Sequence, residues 1–286
     1  MPAFETVRVD PHTHSSASDG TESPAELMRA AAAARLDVVG LTDHDTVRGW
    51  AEAEAAVPAT GVALLRGAEV SCQWRGVTVH LLSYLHDPAD AALTAEMERA
   101  RGSREDRART MVERIAEDYP ITWESVQAQR SDDATVGRPH IADALVAAGV
   151  MPDRDTAFET VLSARGPYYV PYHAPDAVEA VTLVRAAGGV PVMAHPRAGL
   201  RGRVVPDSVI ARMAEAGLAA LEIDHRDHTV GAMEELAALA DRLGLARTGS
   251  SDYHGQGKPN RLGENLTGAA VLELIEEQGA LPVVRP

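Results

Sequence analysis

His12-Thr13-His14 and Asp252-Tyr253-His254 each hold two metal-competent side chains two residues apart, so in an extended segment both point to one face. Asp19, Asp43-His44, Glu69, His80 and His195 add further imidazoles and carboxylates, most of them just after an apolar, strand-like run. Imidazole and carboxylate without thiolate suit Mn, Fe(II) or Zn, with carboxylates able to bridge two ions. Each piece alone is weak. Asp19 in Ser18-Asp19-Gly20 reads first as a turn residue, and Asp43-His44-Asp45-Thr46 as a loop ending in a helix cap. Six separate strand ends that each carry a ligand type are much harder to obtain by chance. The ligand set is His12, His14, Asp19, His44, Glu69, His80, His195, Asp252 and His254. That is too many for one ion and enough for two or three divalent ions.

These side chains need elements to deliver them. Val7–Asp10, Val38–Leu41, Val62–Leu65, Val77–Leu82, Val190–Ala194, Ala219–Ile223 and Ala246–Ser250 read as strands. A hairpin through Arg75-Gly76 joins the third and fourth. Ser23-Pro24-Ala25-Glu26 is a capping box that opens a helix to about Leu36, and Thr46 is expected to cap the next. Between Asp87 and Ser163 the pattern is helical with hardly any strand; Gly149 closes one of these helices. Alternation then resumes, with helices at Asp176–Ala187, Ser208–Ala216, Val230–Leu243 and Ala269–Gln278. Repeated βα units predict a mostly parallel sheet, open or closed into a barrel. In such folds ligands collect at the carboxyl ends of the strands, where nearly all the candidates fall.

Composition narrows the partners. The 286 residues carry a formal charge of −15 with no basic stripe, so duplex DNA is not an expected partner. Cys72 is the only cysteine, which allows no intrachain disulfide and fits a reducing cytoplasm. Met1–Glu5 lacks a secretory pattern, no apolar run reaches spanning length, and no obligate protein partner is implied. Of 27 basic residues only Lys258 is a lysine, leaving 27 − 1 = 26 arginines. A lone ammonium four residues after His254 hints at a specific use.

The motifs together resemble the PHP (polymerase and histidinol phosphatase) superfamily. They are Asp10-Pro11-His12-Thr13-His14-Ser15 with Ser18-Asp19-Gly20, Thr42-Asp43-His44-Asp45-Thr46, Gly67-Ala68-Glu69, His80, Ala194-His195-Pro196 and Ser251-Asp252-Tyr253-His254-Gly255. Within it, Gly137-Arg138-Pro139-His140 and Tyr169-Val170-Pro171 are similar to stand-alone metal-dependent phosphoesterases. The resemblance implies an α/β fold: a distorted (β/α)7 TIM-like barrel from residues 1–86 and 172–286. A helical insertion, residues 87–171, would cap the site. It also implies His12, His14, Glu69 and Asp252 on one ion. Glu69, His80 and His195 would hold a second, and Asp19, His44 and His254 a third. Relatives often carry an aromatic residue and His-Pro after the strand at Leu221; this chain has Asp224-His225-Arg226-Asp227-His228.

Phosphate ester hydrolysis fits this equipment, since paired metals lower the pKa of a bound water and clamp an in-line displacement. Arg138 is the first candidate for the phosphoryl oxygens, because guanidinium engages phosphate in a fork, and Arg197 the second. His140, Arg165 and Lys258 follow, and His225 is the candidate general acid. Tyr168, Tyr169 and Tyr172 can stack a base or pack the insertion. The expected substrate is a small phosphorylated molecule, a nucleotide by preference. The 3′-phosphate of a 3′,5′-bisphosphonucleotide is favoured. The alternatives are a 5′→3′ exonuclease on short RNA and a non-catalytic metal-binding module.

Overall fold

The structure is a computed structural model; it describes residues 7–129, 136–163 and 165–286, with Arg201 described by its backbone only. The Met1–Glu5 reading therefore lies outside the described residues.

Seven strands form one sheet in chain order: β1 (Val9–Thr13), β2 (Val38–Leu41), β3 (Ala63–Trp74), β4 (Val77–Tyr84), β5 (Val190–Met193), β6 (Ala220–Asp224) and β7 (Ala246–Gly249). Helices α1 (Pro24–Ala33) and α2 (Trp50–Thr60) connect the first three strands, and α8 (Asp207–Glu215) and α9 (Val230–Leu243) the last three. Between β4 and β5 come α3 (Ala91–Ile115), α4 (Trp123–Gln127), α5 (Arg138–Ala147), α6 (Arg154–Glu159) and α7 (Ala177–Ala186); α10 (Ala269–Gln278) ends the series. The first and last strands meet through the loop after β7, where the His14 N–H donates to the Tyr253 carbonyl at 2.8 Å and Val9 bridges Thr267. The result is a distorted, nearly closed barrel.

The expected hairpin is present, with β4 antiparallel to β3 and also to β5 in an otherwise parallel sheet. The reason is local: Arg75 and Gly76 both adopt positive φ, 47° and 75°, the geometry of a tight turn whose twist matches a hairpin. Two other expectations need correction. The β3 strand runs on past Leu65 to Trp74 because β4 supplies its ladder, so Glu69 lies inside a strand, opposite Leu82. Thr46 does not cap α2; Gly49 holds that position, and the Thr46 hydroxyl accepts the Arg48 N–H instead. The carboxylates before it are engaged elsewhere. Asp43 accepts from the Ser15 N–H and from the hydroxyls of Ser15 and Ser18, and Asp45 from the Ser71 N–H and hydroxyl.

The Ser23 capping box is present in full, with Pro24 at the first helical position. Val9, Val38, Leu65, Leu82, Val192 and Ala220, from six strands, pack in one apolar cluster with Leu272 and Ile275 of α10. Helices α3 to α6 bury a separate cluster that includes Met111, Ile115, Val126, Ile141 and Leu145. Among the described residues no helix is long and apolar enough to cross a membrane.

Candidate metal centre

The nine expected ligands come together in one cluster, with Asp19, His44, His80 and His195 partly buried and the other five buried. Glu69, only 1 % exposed, sits at its middle. Its Oε1 lies 2.8 Å from His80 Nδ1 and 3.2 Å from His195 Nε2. Its Oε2 lies 3.1 Å from His14 Nε2, 3.2 Å from His44 Nδ1 and 3.4 Å from His12 Nε2. The two oxygens of one carboxylate thus face different sets of imidazoles, which is the geometry a bridging ligand needs. Asp252 Oδ1 closes the first set, 3.5 Å from His12 Nε2 and 3.3 Å from His14 Nε2. On the far side of His14, Asp19 lies 3.3 Å from His254 Nε2 and 3.8 Å from His44 Nε2.

Three groups have donor atoms close enough for a shared ion: His12, His14, Glu69 and Asp252; His44, Glu69 and His80; and His14, Asp19, His44 and His254. The donors fit divalent ions on an independent observation. The buried nitrogens His14 Nδ1, His44 Nδ1, His80 Nδ1 and His254 Nε2 make no hydrogen bond, although carboxylates surround them. Nitrogens aimed at a common ion, not at each other, account for that.

Backbone strain helps to aim two of the expected ligands. His195 and Asp252 have φ of 31° and 52°, a region costly for side-chain-bearing residues and held only where surroundings impose it. The His195 N–H donates to Glu222 Oε2 at 2.8 Å. Beside Asp252, the Ser251 N–H donates to Asp10 and Asn260 Nδ2 to the Ser251 carbonyl.

Glu222 was not singled out from sequence. It is fully buried, 2.9 Å from His12 Nδ1, and accepts from the Ser250 hydroxyl. It leaves His12 Nε2 free to face the cluster, the outer support that metal-ligating imidazoles need. The available signal was a lone carboxylate inside the apolar run Leu221-Glu222-Ile223.

The other candidates divide. His225 is buried, with Nε2 3.7 Å from Asp252 Oδ2, while its Nδ1 accepts the Asp227 N–H at 3.0 Å. Lys258 Nζ lies 3.0 Å from Asp252 Oδ2, so the single lysine does reach the cluster. Arg138 is half-buried at the start of α5, with Nη1 3.4 Å from the Leu162 carbonyl. His140 accepts the Gly137 N–H through Nδ1 at 3.1 Å and caps that helix. The Arg197 guanidinium is taken up by the Val205 carbonyl and Asp207, and Arg165 is exposed on the insertion. Tyr168 donates to Asp118, and Tyr172 lies against arginines of α3. One of those arginines, Arg104, escaped the sequence reading: it donates to Asp45 Oδ2 at 2.9 Å and so ties α3 to the loop that carries His44.

Without metal, the cluster stores protons. Burial alone would depress the His14 imidazolium, but Asp252 and Glu69 outweigh it and hold the group up at about 9; Glu222, Glu69 and Asp252 likewise raise His12. Burial also opposes a Glu69 carboxylate, yet His44, His80 and His12 keep its pKa well below the usual range. A metal ion bound by His14 would therefore displace a proton from it at pH 7. Loading is expected to release protons at pH 7 and to tighten as pH rises towards 9, measured by titration in buffers of different ionisation enthalpy. The folded His14 value is raised, so its stabilisation of the metal-free protein is complete below about 6.5 and fades as pH climbs through about 9. Loading without proton release would contradict this.

The comparisons fit this geometry. Residues 10–145 match the family model of the PHP domain. The 3′,5′-nucleoside bisphosphate phosphatase of Chromobacterium violaceum is 34% identical over 89% of this chain and 90% of its own. A 5′-3′ exoribonuclease of Haemophilus influenzae is 31% identical, over 91% of this chain and 95% of its own. A crystal structure from Bifidobacterium adolescentis, described as that of a metal-dependent phosphoesterase, superposes with a TM-score of 0.92 at 41% identity, covering 95% of this chain and 96% of that one. The chain belongs to the PHP family. It is a metal-dependent phosphoesterase, a hydrolase of phosphoester bonds, and not a module that only holds metal.

Proposed function

We propose that this phosphoesterase removes a phosphate from small nucleotides, with the 3′-phosphate of 3′,5′-bisphosphonucleotides as the favoured substrate. The observation that carries the reading is the Glu69 carboxylate, whose two oxygens face different sets of imidazoles, with Arg104 of α3 bonded to the loop that carries His44. Two separately supported ions suit the displacement at a single phosphoryl group, and the insertion, as a cap over the site, would limit it to a small substrate. The likeness to the Chromobacterium phosphatase points the same way.

His12, His14, Glu69 and Asp252 would hold one ion, Glu69, His80 and His195 a second, and Asp19, His44 and His254 a third; Mn, Fe(II) and Zn all suit these donors. When bound, the ions supply a water acidified to near neutral pH and positive charge against the transferring group. The chain's own residues do the rest. Because His225 Nδ1 accepts a backbone N–H, the neutral ring carries its proton on Nε2, facing the cluster. From there it donates that proton to the leaving oxygen. Lys258 and Arg138 engage phosphate oxygens. Arg197 is already committed to Asp207 and supports the loop after β5.

The test is phosphate release by the Mn(II)-loaded protein from 3′,5′-bisphosphonucleotides, mononucleotides, 5′-phosphorylated dinucleotides and short RNA. One phosphate per bisphosphonucleotide, leaving the 5′-monophosphate, is the expected result. No release with Mn, Fe or Zn would overturn the reading. The likeness to the Haemophilus exoribonuclease favours a second reading, 5′→3′ trimming of short RNA, which a product ladder would select.

A further inference from the structure

His254 and Lys258 are both delivered by the loop after β7, and only Gly255, Gln256 and Gly257 separate them. These three form a single turn of 3-10 helix. With two glycines in three residues the turn has little shape of its own, since glycine restricts the backbone least. Two neighbours shape it instead. On the barrel side the Thr21 hydroxyl accepts the Gln256 N–H at 2.8 Å, and the Thr21 N–H donates to the His254 carbonyl at 3.1 Å. On the insertion side Arg154, the first residue of α6, donates through Nη1 to the Gly257 carbonyl at 2.8 Å. The rest of that guanidinium lies in a fork: Nε and Nη2 donate to the two carboxylate oxygens of Asp143 on α5.

A guanidinium gripped by a carboxylate is a rigid donor, so its third bond aims as well as attracts. The bond to Asp143, and then the charges of Asp143 and Asp19, raise the Arg154 guanidinium above its ordinary range against partial burial. The clamp ends one residue short of Lys258, whose Nζ lies 3.0 Å from Asp252 Oδ2. Asp252 turns its other oxygen to His12 and His14. A single ion pair on the insertion is thus connected, through one backbone carbonyl, to the ammonium at the metal cluster.

Resting on the reading of Lys258 as a phosphate ligand, we infer that Arg154 is a positioning residue: through the Gly257 carbonyl it holds the Lys258 ammonium at the cluster. The insertion then serves the reaction by fixing a barrel loop, and a disturbance between α5 and α6 reaches the substrate through that loop.

Two variants approach the clamp from opposite ends. Arg154→Gln removes the fork. Gly257→Ala keeps every charge: a Cβ there would sit 2.8 Å from Arg154 Nη1, while the nearest atom outside Arg154, Thr21 Cγ2, stays at 3.6 Å, so only the mobile end of one side chain is displaced. Lys258 is the only lysine and its side chain is 31 % exposed, so acetylation by acetic anhydride, read by peptide mass spectrometry, follows one ε-ammonium. In both Mn(II)-loaded variants the Lys258 acetylation rate is expected to rise at least about threefold, because the turn opens locally. KM for a 3′,5′-bisphosphonucleotide is expected to rise about tenfold with kcat within about twofold, since one charge-assisted contact is lost from ground state and transition state alike. A staple without a positioning role would lower the thermal midpoint only; parental acetylation in the folded variants, whatever KM does, would overturn the assignment. Faster acetylation with an unchanged KM would uphold the clamp and sink the phosphate reading of Lys258, so the two failures are told apart. If no bisphosphonucleotide is hydrolysed, acetylation, which needs no turnover, still decides. If Arg154→Gln does not fold, Gly257→Ala decides alone.

Discussion

Glu69→Gln is expected to lower phosphoester turnover by more than the ~10²–10³-fold that loss of one transition-state donor costs. The substitution removes one charge and converts one oxygen to an N–H₂ donor at a residue 1 % exposed. Five imidazoles, those of His12, His14, His44, His80 and His195, lie within 3.4 Å of its two oxygens. An amide offers a single weak oxygen, so it can serve one set of imidazoles but not both. It also turns N–H bonds towards nitrogens whose lone pairs must face an ion. Metal content per chain should therefore fall along with turnover, read by elemental analysis of protein purified without chelator. The size and shape of the variant are conserved, so circular dichroism should remain that of a folded α/β protein. The proton balance gives a second check. Glu69 helps to hold the His14 pKa up at about 9, so the variant should release fewer protons on any remaining metal uptake. Turnover within tenfold of the parent, with full metal content, would sink the bridging assignment.

How much of this site was legible depends on how locally each residue is determined. His12 and His14 declare themselves by spacing, since two-residue periodicity in extended chain aligns side chains whatever the fold. The same holds for the Ser23 capping box, which closes within four residues. Asp252 and His254 share the spacing but lie in the loop after β7, where Asp252 has φ 52° and the loop, not strand alternation, brings them to the cluster. The turn at Arg75-Gly76 was visible, but not its consequence: reversing β4 places His80 opposite Ser71 and carries its ring to the Glu69 Oε1 side. Glu222 and Arg104 were hidden for another reason. Glu222 matters through a partner 210 residues away, and Arg104 through Asp45, 59 residues away; neither follows from sequence position. Thr46 misled because capping chemistry is shared by many loop residues, and here Asp43 and Asp45 were already committed to serines on neighbouring elements.

The largest expected effect on stability comes from a residue without a side chain. A Cβ at Gly40 would sit 1.9 Å from the Pro11 carbonyl oxygen, 2.4 Å from its carbon and 2.7 Å from Pro11 Cα. All three are backbone atoms, so no rotamer change can relieve the contact. The crowding arises because β1 changes register against β2 between Asp10 and Thr13, which pushes the Pro11 backbone over Gly40. That irregularity falls at the site: it spans Pro11 and His12, between the regular pairing of Val9 and Asp10 and that of Thr13, and Thr13 donates to the Gly40 carbonyl at 2.6 Å. Gly40→Ala must either break the β1–β2 pairing or move β1 outward. Overpacking of a core by a methyl group costs about 1–3 kcal/mol, and a clash with fixed backbone belongs at or above the top of that range. Denaturant unfolding of the metal-free variant should show a loss of about 3 kcal/mol or more. If the chain folds, His12 and His14 will have shifted with β1, so metal affinity should drop together with stability although no ligand has changed. Parent-like stability with parent-like metal uptake would show that β1 does not need the close approach at Gly40 to aim its two histidines.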